Sequence, residues 1–311
     1  MLSELVKPAR VAVETCMGVK EGEEVLIITD EYEYEIGYAL FIAAKMFTKH
    51  ANLMLIYPRT RHGEEPDKCV AEAMRAADVV LAPTFYSLSH TEARRIASKQ
   101  GVRIATLPGI KRETFLRALN VDYNKVKELS EKVAELLSKA RKARVVTPSG
   151  TDIELELGNP AKADTGIYVE PGAFGNLPAG EAYLAPVNAN GKIFVDHWGP
   201  YEKVGVIVVK GGFAVSMPDK IMEVFKEAEK VDGKNVYMIA ELGIGTNPGA
   251  KLSGSVLEDE KVLGTVHIAF GSNASFPGGK NRVSIHEDFI LVQPTLWLDG
   301  RKIIENGKLL L

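Results

Sequence analysis

Hydrophobic and polar positions follow two different patterns along the chain. In the first half, nearly continuous apolar runs alternate with stretches of helical period. Such runs are typical of parallel strands covered on both faces, and they read VLIIT (25–29), LMLIY (53–57), DVVLAP (78–83) and VRIATLP (102–108). The repeated strand–helix pattern predicts an open α/β sheet, whose ligand crevices lie at the carboxyl ends of the strands.

Amphipathic segments of helical period separate these runs. They cover residues 35–50, 64–77 and 89–100, and a long charged helix is predicted over roughly 111–143. The tyrosine-rich segment 31–38 follows the first strand and so borders a predicted crevice. No G-x-G-x-x-G or Walker loop follows any of the strands, so the sequence does not predict nucleotide binding.

The second half has a strand-like pattern rich in glycine and proline. It begins with RVVTPSGTDIELELGN, which alternates like an antiparallel strand pair around a Pro-Ser-Gly turn. Only a helix near 218–230 interrupts the predicted strands. We therefore expect an α/β domain over residues 1–143 and a mainly β (α+β) domain over residues 144–311.

Composition narrows the class of protein. Of 311 residues, 46% are hydrophobic and 25% charged, the balance of a globular protein with a substantial core. The net charge of −3 favours neither nucleic acid nor an anionic membrane as a partner, and no apolar run is long enough to cross a bilayer. Cys16 and Cys69 form no motif, which favours a reduced, cytoplasmic protein. Only two glutamines, Gln100 and Gln293, hint at a thermophilic source.

Polar residues interrupt the apolar strands of the second half at five positions. In VSIHEDFIL, His286 and Asp288 share one face of a predicted strand, about 6–7 Å apart along the backbone. His267 lies in another apolar strand, Glu241 ends the run VYMIA and enters a predicted loop, and Glu181 stands beside a strand start. Imidazole and carboxylate groups that converge can share one divalent cation.

Each of these residues also has an ordinary explanation. A lone strand histidine is more often a core or surface residue than a ligand, and a lone glutamate at a strand end is usually solvated. Unpaired charge is costly to bury, however, and one metal site would account for two histidines and three carboxylates together. His197, in VDHWGP, fits either substrate binding or an ordinary turn. Ser-His-Asp or Cys-His catalysis has no supporting motif.

The series PAGEAYLAP, AELGIGTNPGA, DEKVLGTVHIAFG, PGGKN and IHEDF, over residues 176–290, resembles the aminopeptidase T family of thermophilic metallo-aminopeptidases. The resemblance implies a two-metal hydrolase with zinc, cobalt or magnesium ions. It places Glu181, Glu241, His267, His286 and Asp288 at metal-ligand positions, and it assigns the catalytic chemistry to the pair Glu181 and Glu241. The ions would polarise the substrate carbonyl and activate a water molecule. A peptide or small-molecule substrate and a homodimer are likewise implied.

One position departs from that pattern. The family has a metal-binding tyrosine seven residues after the first histidine, where this chain has Ala274, and Phe276 nearby cannot bind a metal. The segment between the two histidines is also shorter. The fold is shared by 2,5-dihydroxypyridine 5,6-dioxygenase, which uses one Fe(II); there His267, His286 and Asp288 would form a two-histidine, one-carboxylate triad. The expected function is thus a metallo-aminopeptidase, with an Fe(II) ring-cleaving dioxygenase or a non-catalytic metal-binding homologue as alternatives.

Overall fold

The computed structural model describes residues 2–311. Helices are concentrated in the first half of the chain: α1 (Leu2–Arg10), which continues as a π-helical segment (Val11–Cys16), α2 (Tyr34–Ala44), α3 (Lys68–Ala76), α4 (Glu92–Lys99), α5 (Arg112–Ala118), α6 (Tyr123–Lys139), α7 (Asp219–Asp232) and α8 (Val256–Asp259). Strands run throughout: β1 (Val25–Thr29), β2 (Ala51–Leu55), β3 (Val79–Ala82), β4 (Arg103–Thr106), β5 (Lys142–Val146), β6 (Asp152–Leu157), β7 (Lys162–Asp164), β8 (Phe174–Asn176), β9 (Glu181–Leu184), β10 (Pro186–Trp198), β11 (Tyr201–Lys210), β12 (Phe213–Ser216), β13 (Ile239–Gly245), β14 (Val266–Gly271), β15 (His286–Leu291), β16 (Thr295–Leu298), β17 (Arg301–Glu305) and β18 (Lys308–Leu309).

The predicted fold class is confirmed. The first four strands and the later strand β8 form a five-stranded parallel sheet in the order β2-β1-β3-β4-β8. Every residue of β1, β3 and β4 is buried, as expected for parallel strands covered on both faces. The chain order reverses between β1 and β3, which is the kind of position where open α/β sheets bind ligands.

Asp30 links the two loops at this reversal. Its side chain is buried, and its carboxylate accepts hydrogen bonds from the backbone N–H groups of Tyr32 (3.1 Å), Glu33 (3.2 Å) and Phe85 (2.7 Å). The loop after β1 is thereby fixed to the loop after β3. Tyr32, in the tyrosine-rich segment, remains exposed and its ring packs on Phe85 with a centroid separation of 5.0 Å.

The second half forms an antiparallel sheet of 13 strands. Its path runs β18-β17-β16-β5-β6-β10-β15-β14-β13-β9-β7, and β11 and β12 extend it from β10. The predicted hairpin is confirmed as β5 and β6, and the predicted helix near 218–230 is α7. The core of this unit includes α6, α7 and the inner face of the sheet.

The single helix predicted over 111–143 is wrong, because the segment forms two helices, α5 and α6. Asp122 accepts hydrogen bonds from the N–H groups of Asn124 (3.1 Å) and Lys125 (3.4 Å) and so starts a new helix. A short polar side chain that binds backbone N–H groups is typical of a helix N-terminus. Amphipathic periodicity continues across this break and therefore concealed it.

The chain forms two compact units that interleave in sequence. The first runs to Lys127 and also includes Thr165–Ala179; the second consists of Glu128–Asp164 and Gly180–Leu311. The return of 165–179 to the first unit places β8 beside β4 in the parallel sheet. The division into two domains at residue 144 stays a prediction. Among residues 2–311, no helix has the length and apolarity that crossing a membrane requires.

Candidate metal centre

Four neighbouring strands of the second unit supply the five predicted ligands. Glu181 begins β9, Glu241 lies in β13, His267 lies in β14, and His286 and Asp288 lie in β15. Glu241 is therefore a strand residue, and the loop predicted to begin directly after it starts only beyond Gly245. Together, the structure brings all five predicted residues to one part of the sheet.

The strand register explains why these side chains share a face. Ala269 pairs with both Glu241 and Asp288 on its two neighbouring strands, and Gly271 pairs with His286. Directly paired residues of an antiparallel sheet point to the same face, and residues two apart on one strand do so as well. Small residues on β14 thus leave room for the longer ligand side chains beside them.

Gly243 has a specific role in this arrangement. It pairs with His267 across β13 and β14, and the imidazole lies directly over it. A Cβ atom at Gly243 would lie 1.9 Å from Nε2 of His267. The position of the histidine ring therefore requires a glycine at 243, the first of the two glycines in the AELGIG motif.

The histidine nitrogens face carboxylate oxygens at short range. Nε2 of His267 lies 3.2 Å from Oε2 of Glu181 and 3.3 Å from Oε1 of Glu241. Nε2 of His286 lies 3.2 Å from Oε2 of Glu241 and 3.5 Å from Oδ1 of Asp288. Two ligand atoms about 2.1 Å from one cation are separated by about 3.0–3.4 Å at ordinary coordination angles, so these spacings suit metal ligands.

The two histidines are connected through carboxylates. Three sets of ligand atoms lie within 4.8 Å of one another: Glu181, Glu241 and His267; Glu241, His286 and Asp288; Glu260, His267 and Asp288. Glu241 and Asp288 each belong to a set with either histidine. The site is thus one continuous cluster of two imidazoles and four carboxylates.

Several polar atoms of this cluster are buried without a hydrogen bond. Among the described residues, Oε2 of Glu181, Oδ1 of Asp288 and Nδ1 of His267 have no such partner. Buried polar atoms are normally satisfied, because leaving one unpaired costs free energy. The two carboxylate oxygens both face imidazole nitrogens of the cluster, and this is the chemistry that a bound cation satisfies.

His286 is oriented by the backbone. Its Nδ1 donates a hydrogen bond to the carbonyl oxygen of Ser272 at 2.7 Å. In the neutral tautomer, this bond leaves the lone pair of Nε2 directed at Glu241 and Asp288. Metal-binding histidines commonly use their second nitrogen in this way. The residues present therefore fit a divalent metal ion.

The neighbouring carboxylates favour the protonated form of both histidines. Burial alone would lower the pKa of His267, but Glu181 and Glu241 raise it well above the usual value. The pKa of His286 is likewise lowered by burial and raised further by Asp288 and Glu241, again to well above the usual value. Metal binding requires the unprotonated Nε2 of each imidazole, so a metal ion and a proton would compete for these nitrogens.

Sequence reasoning missed two members of the cluster, Glu260 and Lys261. The ammonium group of Lys261 is buried and lies 2.6 Å from Oε1 of Glu181 and 2.5 Å from Oε1 of Glu260. Burial and the neighbouring carboxylates raise the pKa of Glu260 to about 8. The DEK motif that contains both residues was used only for the resemblance; its charges precede the strand of His267 and carried no ligand pattern of their own.

Two aromatic rings lie beside the ligands. Tyr183 follows Glu181 by two residues on β9 and pairs with Gly243, so it shares the face of the ligands. Burial, followed by Asp164, Glu181 and Glu241, raises the pKa of its phenol, which therefore stays protonated. Phe276 lies in the segment between the two histidines, two residues after Ala274. The sequence indicates Phe276 only as a residue that cannot bind a metal, and no sequence pattern points to Tyr183.

Three other histidines have different surroundings. His197 pairs with Ile290, whose other partner is His267, so His197 lies in the same row of the sheet two strands away. Nδ1 of His62 accepts a hydrogen bond from the N–H of Ser87 in the first unit, and His50 forms an exposed ion pair with Glu24. Neither His62 nor His50 belongs to the metal cluster.

A family model matches nearly the whole chain. The model of NicX, 2,5-dihydroxypyridine 5,6-dioxygenase, matches residues 4–311. The chain belongs to the NicX family. Among curated proteins, no sequence matches this NicX family member.

Two solved structures share the fold of this NicX family member. The 2,5-dihydroxypyridine dioxygenase from Pseudomonas putida KT2440 has a TM-score of 0.81 at 21% identity, covering 100% of this chain and 98% of that chain. Wild-type AmpT, aminopeptidase T, from Thermus thermophilus has a TM-score of 0.68 at 19% identity, covering 99% of each chain. At these identities the likeness is one of fold.

The expectation of a metallo-aminopeptidase is wrong. The matching family is one of dioxygenases, which are oxidoreductases and not hydrolases, and a dioxygenase structure matches the full chain. The structural likeness to aminopeptidase T is one of fold. Ala274, in place of the family tyrosine, was the sequence feature that pointed away from the peptidases.

Proposed function

We propose that this protein is a mononuclear Fe(II) dioxygenase that opens a hydroxylated aromatic ring of the dihydroxypyridine type. The proposed ligands are His267, His286 and Asp288. The observation that carries the proposal is the buried Oδ1 of Asp288, which has no hydrogen bond among the described residues and faces Nε2 of His286. Two histidines and one carboxylate form the ligand set of many non-haem Fe(II) oxygenases. Membership of the NicX family supports the reaction class.

When bound, Fe(II) would supply open coordination positions and redox chemistry with dioxygen. The protein's own residues position the ligands and the substrate around it. The Ser272 carbonyl fixes the ring of His286, and the missing side chain of Gly243 leaves room for the ring of His267. Both contacts hold ligand nitrogens toward the cluster before any metal binds.

Glu241 and Glu181 are assigned roles beside the triad. Glu241 lies between the two imidazoles, with one oxygen directed to each, and is placed to accept a proton from a hydroxyl group of the substrate. Glu181 is held by the ammonium group of Lys261, which keeps its charge balanced within the buried site. Lys261 therefore acts as a positioning residue for Glu181.

The test is anaerobic loading of the purified protein with Fe(II), followed by addition of 2,5-dihydroxypyridine and oxygen. We expect oxygen and substrate to be consumed in equal amounts and the aromatic absorbance to be lost. His286→Ala should abolish both iron retention and turnover, whereas His50→Ala, an exposed histidine of the first unit, should change neither. An iron-loaded protein that binds one ion per chain but consumes no oxygen with dihydroxypyridines or related diols would contradict the proposal.

A further inference from the structure

Tyr183 and Phe276 form an aromatic pair that the metal ligands do not explain. Their ring centroids lie 4.8 Å apart. The ring of Phe276 also meets the imidazole of His286 edge-on, with centroids 5.6 Å apart and an interplanar angle of 74°. The three rings therefore run from β9 to β15 along one side of the ligand face.

This pair does not belong to the hydrophobic core of the second unit. Both side chains are half-buried, and neither is among the buried apolar residues that pack between the sheet and its helices. An aromatic ring that stays partly exposed beside metal ligands offers a planar apolar surface. Aromatic rings prefer offset-stacked or edge-to-face partners with centroids about 4.5–7 Å apart.

Phe276 is held in place by a hydrogen-bonded turn. Its N–H donates to the carbonyl of Asn273 (2.9 Å), and its own carbonyl accepts from the N–H of Gly279 (3.0 Å). Asn281 closes the segment, since its backbone N–H donates to Oδ1 of Asn273 (2.8 Å) and its side-chain amide donates to the carbonyl of Gly271 (2.7 Å). The ring is thus preorganised for contact with a ligand, which lowers the entropic cost of binding.

We propose that Tyr183 and Phe276 form the wall on which a planar aromatic substrate stacks, and that Phe276 determines the preference for such rings. The inference rests on the proposed dioxygenase function and names its substrate class: a six-membered aromatic ring whose hydroxyl groups reach the metal ligands. A peptide N-terminus with an aliphatic side chain would gain little from this wall. The short segment between the two histidines, which set the chain apart from the peptidases, is the segment that supplies Phe276.

The test compares wild type with Phe276→Leu in the Fe(II)-loaded protein without oxygen. Binding of 2,5-dihydroxypyridine is measured by calorimetry, and iron content is measured in the same samples. We expect affinity to fall about 3- to 10-fold in Phe276→Leu, with iron content unchanged, and to return in Phe276→Tyr. Phe213→Leu, at a partly exposed phenylalanine on β12, is the matched control and should bind as wild type does.

The outcomes separate this inference from the proposed function. If wild type and Phe276→Leu bind the ring with equal affinity and turnover is intact, the proposed stacking role of Phe276 is wrong. The proposed dioxygenase function then stands. Loss of iron in Phe276→Leu also overturns the stacking role, because Phe276 would then act only by supporting His286. If wild type binds the ring and Phe276→Leu binds it more weakly, but oxygen is not consumed, the wall is supported and the proposed reaction fails. An iron-loaded wild type that binds no aromatic diol contradicts both.

Discussion

Asp30 and Asp288 are both buried aspartates, one in each unit, yet their surroundings differ in kind. Asp30 is surrounded by backbone donors and accepts three N–H groups from two loops. Asp288 faces an imidazole, and its Oδ1 has no hydrogen bond among the described residues. Burial alone therefore does not mark a functional carboxylate. A carboxylate whose oxygens face backbone N–H groups stabilises the fold. A carboxylate whose oxygens face imidazole nitrogens is a candidate metal ligand.

Among these substitutions, Asp288→Asn is expected to lower the affinity for Fe(II) most. The substitution keeps the shape of the side chain but removes the charge, so affinity for Fe(II) should fall about 100-fold or more, since even residues that merely orient ligands change it 10- to 100-fold. Iron content after desalting, measured by mass spectrometry, reports the loss. Retention of a full complement of iron would remove Asp288 from the site.

Asp30→Asn is the matched substitution in the first unit. The amide cannot replace a carboxylate that accepts three backbone N–H groups, so the free energy of unfolding should fall by about 1.5–3 kcal/mol. Iron content should stay that of wild type. Urea unfolding of Asp30→Asn and Asp288→Asn measures the free energy of unfolding of both variants. A change in iron content for Asp30→Asn would contradict a purely structural role for Asp30.

Gly243→Ala should weaken metal binding although it replaces none of the proposed ligands. The added methyl group would collide with Nε2 of His267, so the ring must move and affinity for Fe(II) should fall about 10-fold or more. Gly158→Ala is the control, because its added methyl group would meet the carbonyl of Ala185 in the same unit and should cost only stability. Equal iron affinity in both variants would show that the position of His267 does not depend on Gly243.

The metal-free protein should lose stability as pH rises above 6.5. The pKa values of His267 and His286 are raised well above 6.5 in the folded state. The contribution of these two histidines to the free energy of unfolding is therefore complete below pH 6.5 and is lost as pH rises through the folded pKa values. The iron-loaded protein should lack this decline, because the metal has replaced the protons. Urea unfolding between pH 6 and 9, under nitrogen and with and without iron, measures the difference. A metal-free protein that gains stability over this range would contradict the assignment.

Glu33 should give the first unit a pH dependence of its own. Burial, and secondarily Asp30, raises its pKa from 4.5 to about 7. The folded state holds this proton more tightly than the unfolded state, so stability should fall as pH rises from about 4.5 to about 7 and then level off. Glu33→Gln should flatten the profile in that window. An unchanged profile in the variant would exclude Glu33 as its source.

The sequence predicted the strands well where their pattern is local. Buried parallel strands appear in the sequence as continuous apolar runs. The hairpin of β5 and β6 is indicated by alternating apolar and polar residues on either side of a turn. The break between α5 and α6 was missed because Asp122 acts through two backbone hydrogen bonds, which leave amphipathic periodicity intact. The interleaving of residues 165–179 depends on long-range pairing of β8, and no local pattern encodes it.

The candidate site was predicted only in part, because local spacing indicates some of its residues and long-range strand pairing brings in the others. His286 and Asp288 share a strand, so their common face follows from a spacing of two. The joining of Glu181, Glu241 and His267 to them depends on the register of four strands. Lys261 and Tyr183 had no pattern that would distinguish them from surface residues, and only the fold brings them to the ligands.

The decisive measurement for a mononuclear iron site is the metal content of the protein purified without oxygen. Elemental analysis, paired with anomalous scattering at the iron edge from crystals, counts the ions and locates them. We expect one iron per chain, contacting His267, His286 and Asp288. Two ions per chain bridged by Glu241, or one ion that His286→Ala retains, would contradict it.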